Sequence, residues 1–172
     1  MKKRIRLIIT IIIASLIVCL LIWRFLPQSF SNLISVDENT ITNFSSSVMV
    51  QSLENGQTHT DTYQITKTEQ LGNEPGDILE ILSTSKYQQD FRNLLPWSAD
   101  SIEADKNYDG RTVLLVFSVG NQKDEWVQIY YLSSSIIAVS VGREDGYRIY
   151  HPTNHKTLDE LVEYIQTHGT KQ

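Results

Sequence analysis

Cysteine is almost absent from this chain, because its single cysteine, Cys19, lies in an apolar stretch near the N-terminus. The residues after that stretch therefore cannot form an internal disulfide bond, and a hydrophobic core must hold them together. They number about 145, which suits one domain with a sizeable core and is too few to suggest two.

Motifs of catalysis are also scarce. The eight glycines form no glycine-rich phosphate loop, and no serine lies in a G-x-S-x-G motif. Carboxylates such as Asp90 and Asp100 could act as a general acid and base only if the fold brought them together. The sequence therefore contains no strong signal for an enzyme or a cofactor.

Acidic residues are missing from residues 1–24, which contain five of the 15 basic residues. The rest of the chain carries 10 basic and 20 acidic residues, a net charge of −10 compared with −5 for the whole chain. A surface of this charge repels nucleic acid and anionic lipid headgroups. We therefore expect no nucleic-acid partner, and a basic peptide, a metal ion or a neutral protein surface is a better match.

The longest uncharged run, Leu7–Trp23, has 17 residues. As a helix it would extend about 25 Å, near the lower limit for crossing a bilayer core of about 30 Å. Phe25 and Leu26 lengthen the apolar surface beyond Arg24, whose long side chain can reach the lipid headgroups. Residues 7–26 are therefore predicted to form a transmembrane helix in contact with the lipid bilayer.

Three fates are open to this stretch: an uncleaved anchor, a cleaved signal peptide or a lipid-modified cysteine. An anchor is favoured because the bulky residues Trp23–Leu26 follow the apolar core where a cleavage site needs small ones. Ser29-Phe30-Ser31 is a weaker candidate for cleavage, and the bulky Val18 before Cys19 argues against lipidation.

Basic residues bracket the apolar stretch unequally, with four before it and one after it. Because such residues are retained on the cytoplasmic side, residues 1–6 should be cytoplasmic. Residues 27–31 are interpreted as a short tether and residues 32–172 as an extracytoplasmic domain. This layout is typical of a small single-pass bacterial envelope protein in the cell membrane.

The domain has the pattern of an α+β fold. A hairpin is predicted at about 46–53 and 58–66 around Asn55-Gly56, a short strand near 33–36, and a helix from Pro75 to about Tyr87. Phe91, Leu94, Leu95 and Trp97 are interpreted as a loop held to the core by its apolar side chains. Four further strands follow at 113–119, 126–132, 135–141 and 147–150.

A final helix is predicted from a capping box at Thr157–Glu160 to a C-terminal cap at Gly169. The short connections favour an antiparallel sheet, with the two helices packed on one of its faces.

One segment resembles half of a calcium-binding loop. Asp105, Asn107 and Asp109 occupy the first, third and fifth positions, and Gly110 occupies the sixth. The twelfth position should supply a bidentate glutamate but is Val116, so a polar loop is the preferred interpretation and calcium binding the alternative. His151 and His155 have a zinc-compatible spacing, but Pro152 argues against the helix that would bring them together.

Aromatic residues are concentrated in the second half of the chain: Trp97, Trp126, Tyr130, Tyr131, Tyr147 and Tyr150. In a strand, the neighbouring Tyr130 and Tyr131 must face opposite sides. The one that points away from the helices, together with Tyr150, would make an aromatic platform, although aromatic pairs also occur simply to stabilise sheets.

The function expected first is therefore a noncatalytic, membrane-anchored module that binds a protein or a basic peptide. A hydrolase or metal-dependent enzyme acting on envelope material is the alternative. An assembly factor that acts through its membrane helix is the third hypothesis.

Overall fold

A computed structural model describes residues 2–34, 41–54, 57–67, 74–94, 108–119, 126–142 and 146–172. Its first element is the apolar helix α1, Lys2–Arg24, with 23 residues. Within the described residues, this is the one helix long and apolar enough to cross a membrane, and its side chains are not buried in the protein. An N-terminal apolar helix is therefore confirmed, and a membrane anchor and a signal sequence share this property.

The remainder is a mixed α+β fold built on one antiparallel sheet. Its elements are β1 (Gln28–Ser29), α2 (Phe30–Ile34), β2 (Ile41–Glu54), β3 (Gln57–Lys67), α3 (Glu74–Ser83), β4 (Lys86–Gln89), a 3₁₀ helix (Phe91–Leu94), β5 (Arg111–Val119), β6 (Trp126–Tyr131), β7 (Ile137–Val141), β8 (Arg148–Pro152), α4 (Thr157–His168) and β9 (Thr170–Lys171). The strand order is β1-β4-β8-β7-β6-β5-β2-β3-β9. An antiparallel sheet is thus confirmed.

The strands at the centre of the sheet alternate between two environments. In β6, Val127, Ile129 and Tyr131 are buried, while the residues between them are half-buried. The register pairs Ile129 with Leu115 of β5 and with Val139 of β7, both of which are also buried. Because side chains alternate across a strand, these residues line one face, which we call the inner face.

The helices contribute apolar residues to the same core. α4 buries Leu158, Leu161, Val162 and Ile165, which recur at helical spacing on one side. α3 buries Ile78, Leu79 and Leu82. These side chains form one hydrophobic cluster with the inner-face residues of β5 and β6, and each fully buried Leu or Ile stabilises the fold by about 1.5–3 kcal/mol.

Several predicted elements are confirmed. β2 and β3 form the predicted hairpin and pair from Phe44 with Lys67 to Glu54 with Gln57. The turn residues Asn55 and Gly56 lie outside the described residues. The four later strands also exist as β5 to β8, with ends that shift by up to two residues.

The strand predicted near 33–36 was wrong. Leu33 and Ile34 belong to helix α2, and residues 35 and 36 lie outside the described part of the chain. Phe30 and Ile34 are four residues apart, so a helical turn places both on one side, where both are buried.

The predicted helix from Pro75 was too long, because α3 ends at Ser83 and Tyr87 lies in β4. The Thr84 hydroxyl donates a hydrogen bond to the Ile81 carbonyl at 2.7 Å, and such bonds compete with helix continuation. Tyr87 then pairs with Pro152 of β8, which extends the sheet.

The described part of the loop expected to be held by apolar side chains is held by a polar one. Phe91 and Leu94 are 64% and 45% exposed. Asn93 instead donates from Nδ2 to the Ile149 carbonyl at 2.7 Å and accepts the Ile149 N–H at 2.8 Å. Leu95 and Trp97 lie outside the described residues.

Helix α4 lacks the predicted capping box. Thr157 is its first residue, and the preceding Lys156 makes no side-chain cap. The turn before the helix depends on Asn154, whose side chain accepts the Lys156 N–H at 3.1 Å and whose carbonyl accepts the Thr157 hydroxyl at 3.0 Å. At the other end, Gly169 does follow the helix, where a Cβ would lie 2.5 Å from the Ile165 carbonyl oxygen.

The residues interpreted as a tether take part in the fold. Gln28 and Ser29 pair with Tyr87 and Lys86 of β4, and Phe30 is 3% exposed in the core. The folded region therefore begins four residues before Asn32, close to the end of α1.

Candidate partner-binding face

The second side of the central sheet, which we call the outer face, carries half-buried residues on β5 and β6 and buried ones on β7. Cross-strand register aligns Leu114 with Tyr130 and then with Ala138. A neighbouring row aligns Val116 with Gln128 and Ser140. The rows bring one aromatic ring, aliphatic side chains and polar groups together on strands whose backbones are fixed by hydrogen bonds on both sides.

Tyr130 forms an aromatic pair with Tyr147 on this face. Their ring centroids are 5.4 Å apart at an interplanar angle of 76°, an edge-to-face geometry that favours aromatic attraction. The Tyr147 hydroxyl donates to Gln128 Oε1 at 3.0 Å, which fixes the second ring. Burial, together with the nearby Tyr130 hydroxyl, raises the pKa of Tyr147 to about 12.

Tyr131 lies on the inner face and is fully buried. Its hydroxyl lies 2.9 Å from that of Tyr87, which donates to the Leu82 carbonyl at 2.7 Å. Because the Tyr87 hydrogen is used in this bond, Tyr131 is the donor of the pair. Burial raises the pKa of both tyrosines.

Tyr150 also lies on the inner face, opposite Ile137, and is 8% exposed. Of the three tyrosines predicted as partner-binding candidates, Tyr130 is thus the one on the outer face. Its companion there is Tyr147 and not Tyr150. The sequence contained a signal for Tyr147 in the aromatic cluster, but strand alternation cannot orient a residue that lies before the first residue of β8.

Asp109, a candidate calcium ligand, is engaged by an arginine. Its carboxylate accepts the Arg111 backbone N–H at 3.1 Å and Nε at 2.9 Å, and it also contacts Arg111 Nη2. Burial would raise the pKa of Asp109, but the hydrogen bonds and charge of Arg111 outweigh this effect and lower it. Arg111 also donates to Asp159 of α4 at 2.7 Å, so the three residues join β5 to that helix.

The other two calcium candidates, Asp105 and Asn107, lie outside the described residues. Among the side chains that the structure does describe, no group of three His, Cys, Asp or Glu residues is close enough to share a metal ion.

His151 belongs to a polar cluster at the β8 end of the sheet. Its Nε2 lies 2.8 Å from Asp90 Oδ2, and its Nδ1 lies 2.9 Å from the Ser135 carbonyl oxygen. Burial raises the pKa of Asp90, but hydrogen bonds from Arg92 and His151 outweigh this effect and lower it to about 2. Both ring nitrogens are thus engaged by oxygens, so the cluster fastens the β6–β7 turn to β8.

His155 is not in a joint site with His151. Its Nδ1 lies 3.1 Å from the Ser134 carbonyl oxygen, and its side chain is exposed. The two histidines contact successive carbonyls of one turn, which explains their spacing without a metal.

Ser83 and Lys86 have the S-x-x-K spacing of some serine hydrolases. In that motif, one helical turn brings serine and lysine to the same side. Here α3 ends at Ser83, Lys86 starts β4, and the Ser83 hydroxyl donates to the Glu80 carbonyl at 2.7 Å. The described geometry therefore does not reproduce the motif.

Comparison of the chain with family models, curated proteins and solved structures found no match. Function is therefore inferred from the residues and geometry of this chain.

Proposed function

We propose that the chain is a membrane-anchored module that binds a basic segment of a partner protein through the outer face of its sheet. The observation that carries the proposal is the Tyr130–Tyr147 pair, two rings held in fixed positions on a half-buried surface. Rigid tyrosines supply large contact areas at low cost in conformational entropy, and they are enriched in protein interfaces.

The proposed arrangement has α3 and α4 covering the inner face, which leaves the β5–β6 part of the outer face for the partner. Its support is the single hydrophobic cluster that combines the buried residues of both helices with those of β5 and β6. The outer-face residues Leu114, Gln128 and Tyr130 are half-buried and do not belong to that cluster.

The proposed location is the outer surface of a cell membrane, with α1 as an uncleaved anchor and its N-terminus in the cytoplasm. This proposal is supported by the length and apolar character of α1 and by the four basic residues that precede Leu7. Protein sequencing of the mature chain tests it, because an N-terminus after Cys19 would contradict an anchor.

The proposed partner is basic because the chain beyond Arg24 carries 20 acidic and 10 basic residues. Such a charge attracts a cationic segment and accelerates encounter, while the aromatic rings supply the contact. We therefore expect affinity to fall as the salt concentration rises.

The binding proposal is tested with the full-length protein in nanodiscs and a library of fluorescent peptides of differing charge. Lys- and Arg-rich peptides should bind best. Tyr130→Ala should raise the Kd of the best peptide by about 5- to 150-fold, the range of a hot-spot tyrosine.

The matched control is Tyr108→Ala, which removes a 42%-exposed tyrosine near the start of β5. It should leave the Kd within about twofold, since a surface contact outside the binding site contributes little. Equal effects of the two substitutions, or no preference for basic peptides, would contradict the proposal.

A further inference from the structure

A cleft of about 900 Å³ lies between the end of α1 and the β1–β4 edge of the sheet. Its apolar side includes Ile17, Leu20 and Leu21 of α1. Its polar lining includes Arg24, the last residue of α1, and Lys86, the first residue of β4. The cleft is therefore amphipathic, and two cations are among the residues that line it.

The two cations are brought to the cleft by the fold. Backbone hydrogen bonds carry the last turn of α1 on to Leu26, where the Leu26 N–H donates to the Trp23 carbonyl at 3.3 Å. Ser29 then pairs directly with Lys86, whose backbone N–H donates to Thr153 Oγ1 at 3.2 Å. Residues far apart in the sequence thus line one site at the junction of α1 and the sheet.

Within the described residues, these two cations have no carboxylate partner, in contrast to three other cations of the domain. Arg92, Arg111 and Lys171 form ion pairs with Asp90, Asp109 and Asp61. Neither Arg24 nor Lys86 forms an ion pair with any residue in the described ranges, and no acidic residue is among those lining the cleft. Two unneutralised charges in a strongly acidic chain favour an anionic ligand.

The order of apolar and charged residues along α1 matches the order of acyl chain and phosphate in a membrane lipid. With a rise of about 1.5 Å per residue, Ile17 and Leu21 lie about 10 Å and 5 Å deeper than Arg24. Trp23, which also lines the cleft, suits the membrane interface. An acyl chain would therefore meet the apolar side while a phosphate meets Arg24 and Lys86.

We propose that this cleft binds one anionic phospholipid from the outer leaflet, with its phosphate between Arg24 and Lys86. The inference rests on the membrane anchor in the proposed function. The proposal also revises the expectation that the acidic domain repels anionic lipid headgroups. Salt screens charges more than about 8–10 Å apart, so the two cations in the cleft have a larger effect on a bound phosphate than distant carboxylates do.

The test uses Trp23 as a reporter in full-length protein carrying Trp97→Phe and Trp126→Phe, so that one of the three tryptophans remains. The protein is placed in phosphatidylcholine nanodiscs containing a small fraction of phosphatidylglycerol. Two samples are compared, each with one lipid brominated on its acyl chains, because bromine quenches tryptophan fluorescence. The brominated lipid is phosphatidylglycerol in the first sample and an equal fraction of phosphatidylcholine in the second. We expect severalfold stronger quenching by brominated phosphatidylglycerol.

Arg24→Gln with Lys86→Gln should reduce this preference to near one, since each cation near the membrane contributes about a fivefold preference. The charge-preserving pair Arg24→Lys with Lys86→Arg should retain most of it. Lys171→Gln is the matched control, because β9 is at the opposite edge of the sheet from β1 and β4. It should leave the preference unchanged.

Equal quenching by the two brominated lipids in the parent, or a preference that survives Arg24→Gln with Lys86→Gln, would overturn the proposal. Loss of the preference on adding soluble glycerol phosphate would also overturn it, because the site would then bind a free phosphate. Carbonate extraction of membranes tests the anchor separately. A protein that resists extraction but shows no lipid preference contradicts the cleft proposal alone.

Discussion

Tyr130 and Tyr131 are neighbours in sequence, yet the structure gives them opposite environments. Tyr131 is fully buried on the inner face, and its hydroxyl bonds to that of Tyr87. Tyr130 is half-buried on the outer face and meets the edge of Tyr147. One step along a strand thus separates a fully buried tyrosine from one that is partly accessible to solvent.

The inner pair, Tyr131 and Tyr87, and the outer pair, Tyr130 and Tyr147, also differ in the hydrogen bonds of their hydroxyl groups. The inner pair forms a closed chain from Tyr131 to Tyr87 to the Leu82 carbonyl, which ties β6 and β4 to α3. The Tyr147 hydroxyl bonds to the side chain of Gln128 on the same face. Loss of an inner tyrosine should therefore affect folding, and loss of Tyr130 should affect binding.

Tyr131→Ala should have the largest effect on stability. It removes a fully buried ring and leaves a cavity, so the free energy of unfolding should fall by about 3–5 kcal/mol. Tyr130→Ala should cost less than about 1.5 kcal/mol, because a half-buried ring leaves no closed cavity. Urea denaturation followed by circular dichroism measures both, and equal losses would show that the two faces are equally buried.

A fragment that starts at Asn32 should be less stable than one that starts at Pro27. The shorter fragment lacks Phe30, which is buried in the core with its ring centroid 5.7 Å from that of Tyr87. We expect a loss of about 3 kcal/mol by thermal or urea denaturation. Phe30→Ala in the longer fragment should reproduce most of this loss, and equal stability of the two fragments would contradict the placement of Phe30 in the core.

Tyr87→Phe tests the hydrogen bonds of the inner pair without removing a ring. It leaves the Tyr131 hydroxyl and the Leu82 carbonyl without their partner, which should cost about 1–3 kcal/mol. The double variant with Tyr131→Phe should lose less than the sum of the two single losses, because it also removes the orphaned hydroxyl. Additive losses measured by urea denaturation would show that the two hydroxyls do not interact.

The smallest expected effect concerns the outer pair at high pH. The pKa of Tyr147 is raised from 10.0 to about 12, so folding favours its neutral form. Its contribution to stability should be complete below pH 10 and should disappear as the pH rises to about 12. The tyrosinate absorbance should contain a component with a midpoint near 12 that Tyr147→Phe removes, and persistence of that component in the variant would contradict the assignment.

Much of the fold could be predicted from local patterns. The β2–β3 hairpin follows from the Asn55-Gly56 signal between β-forming runs, and α4 follows from its apolar stripe. β1 and β9 could not be predicted, because each has two residues and is too short to show the alternation of apolar and polar residues that marks a strand. β4 was not predicted because the helix was expected to run to Tyr87, whereas α3 ends at Ser83.

The sites were less predictable than the fold. Alternation correctly separated Tyr130 from Tyr131, which face opposite sides of the sheet. It could not identify Tyr147 as the companion of Tyr130, because that contact joins a strand to a loop 17 residues later. The hydrogen bond from Arg111 to Asp159 likewise depends on α4 packing beside β5.

The sequence by itself determined the apolar N-terminal helix, the mixed α+β composition and the opposite orientation of adjacent strand residues. Each depends on the spacing or character of residues that are close along the chain. Only the tertiary structure decided that Phe30 packs against Tyr87, that Tyr147 joins Tyr130, and that Arg24 and Lys86 line one cleft. These contacts join residues 17 to 62 positions apart, and strand pairing and helix packing, which local spacing does not encode, bring them together.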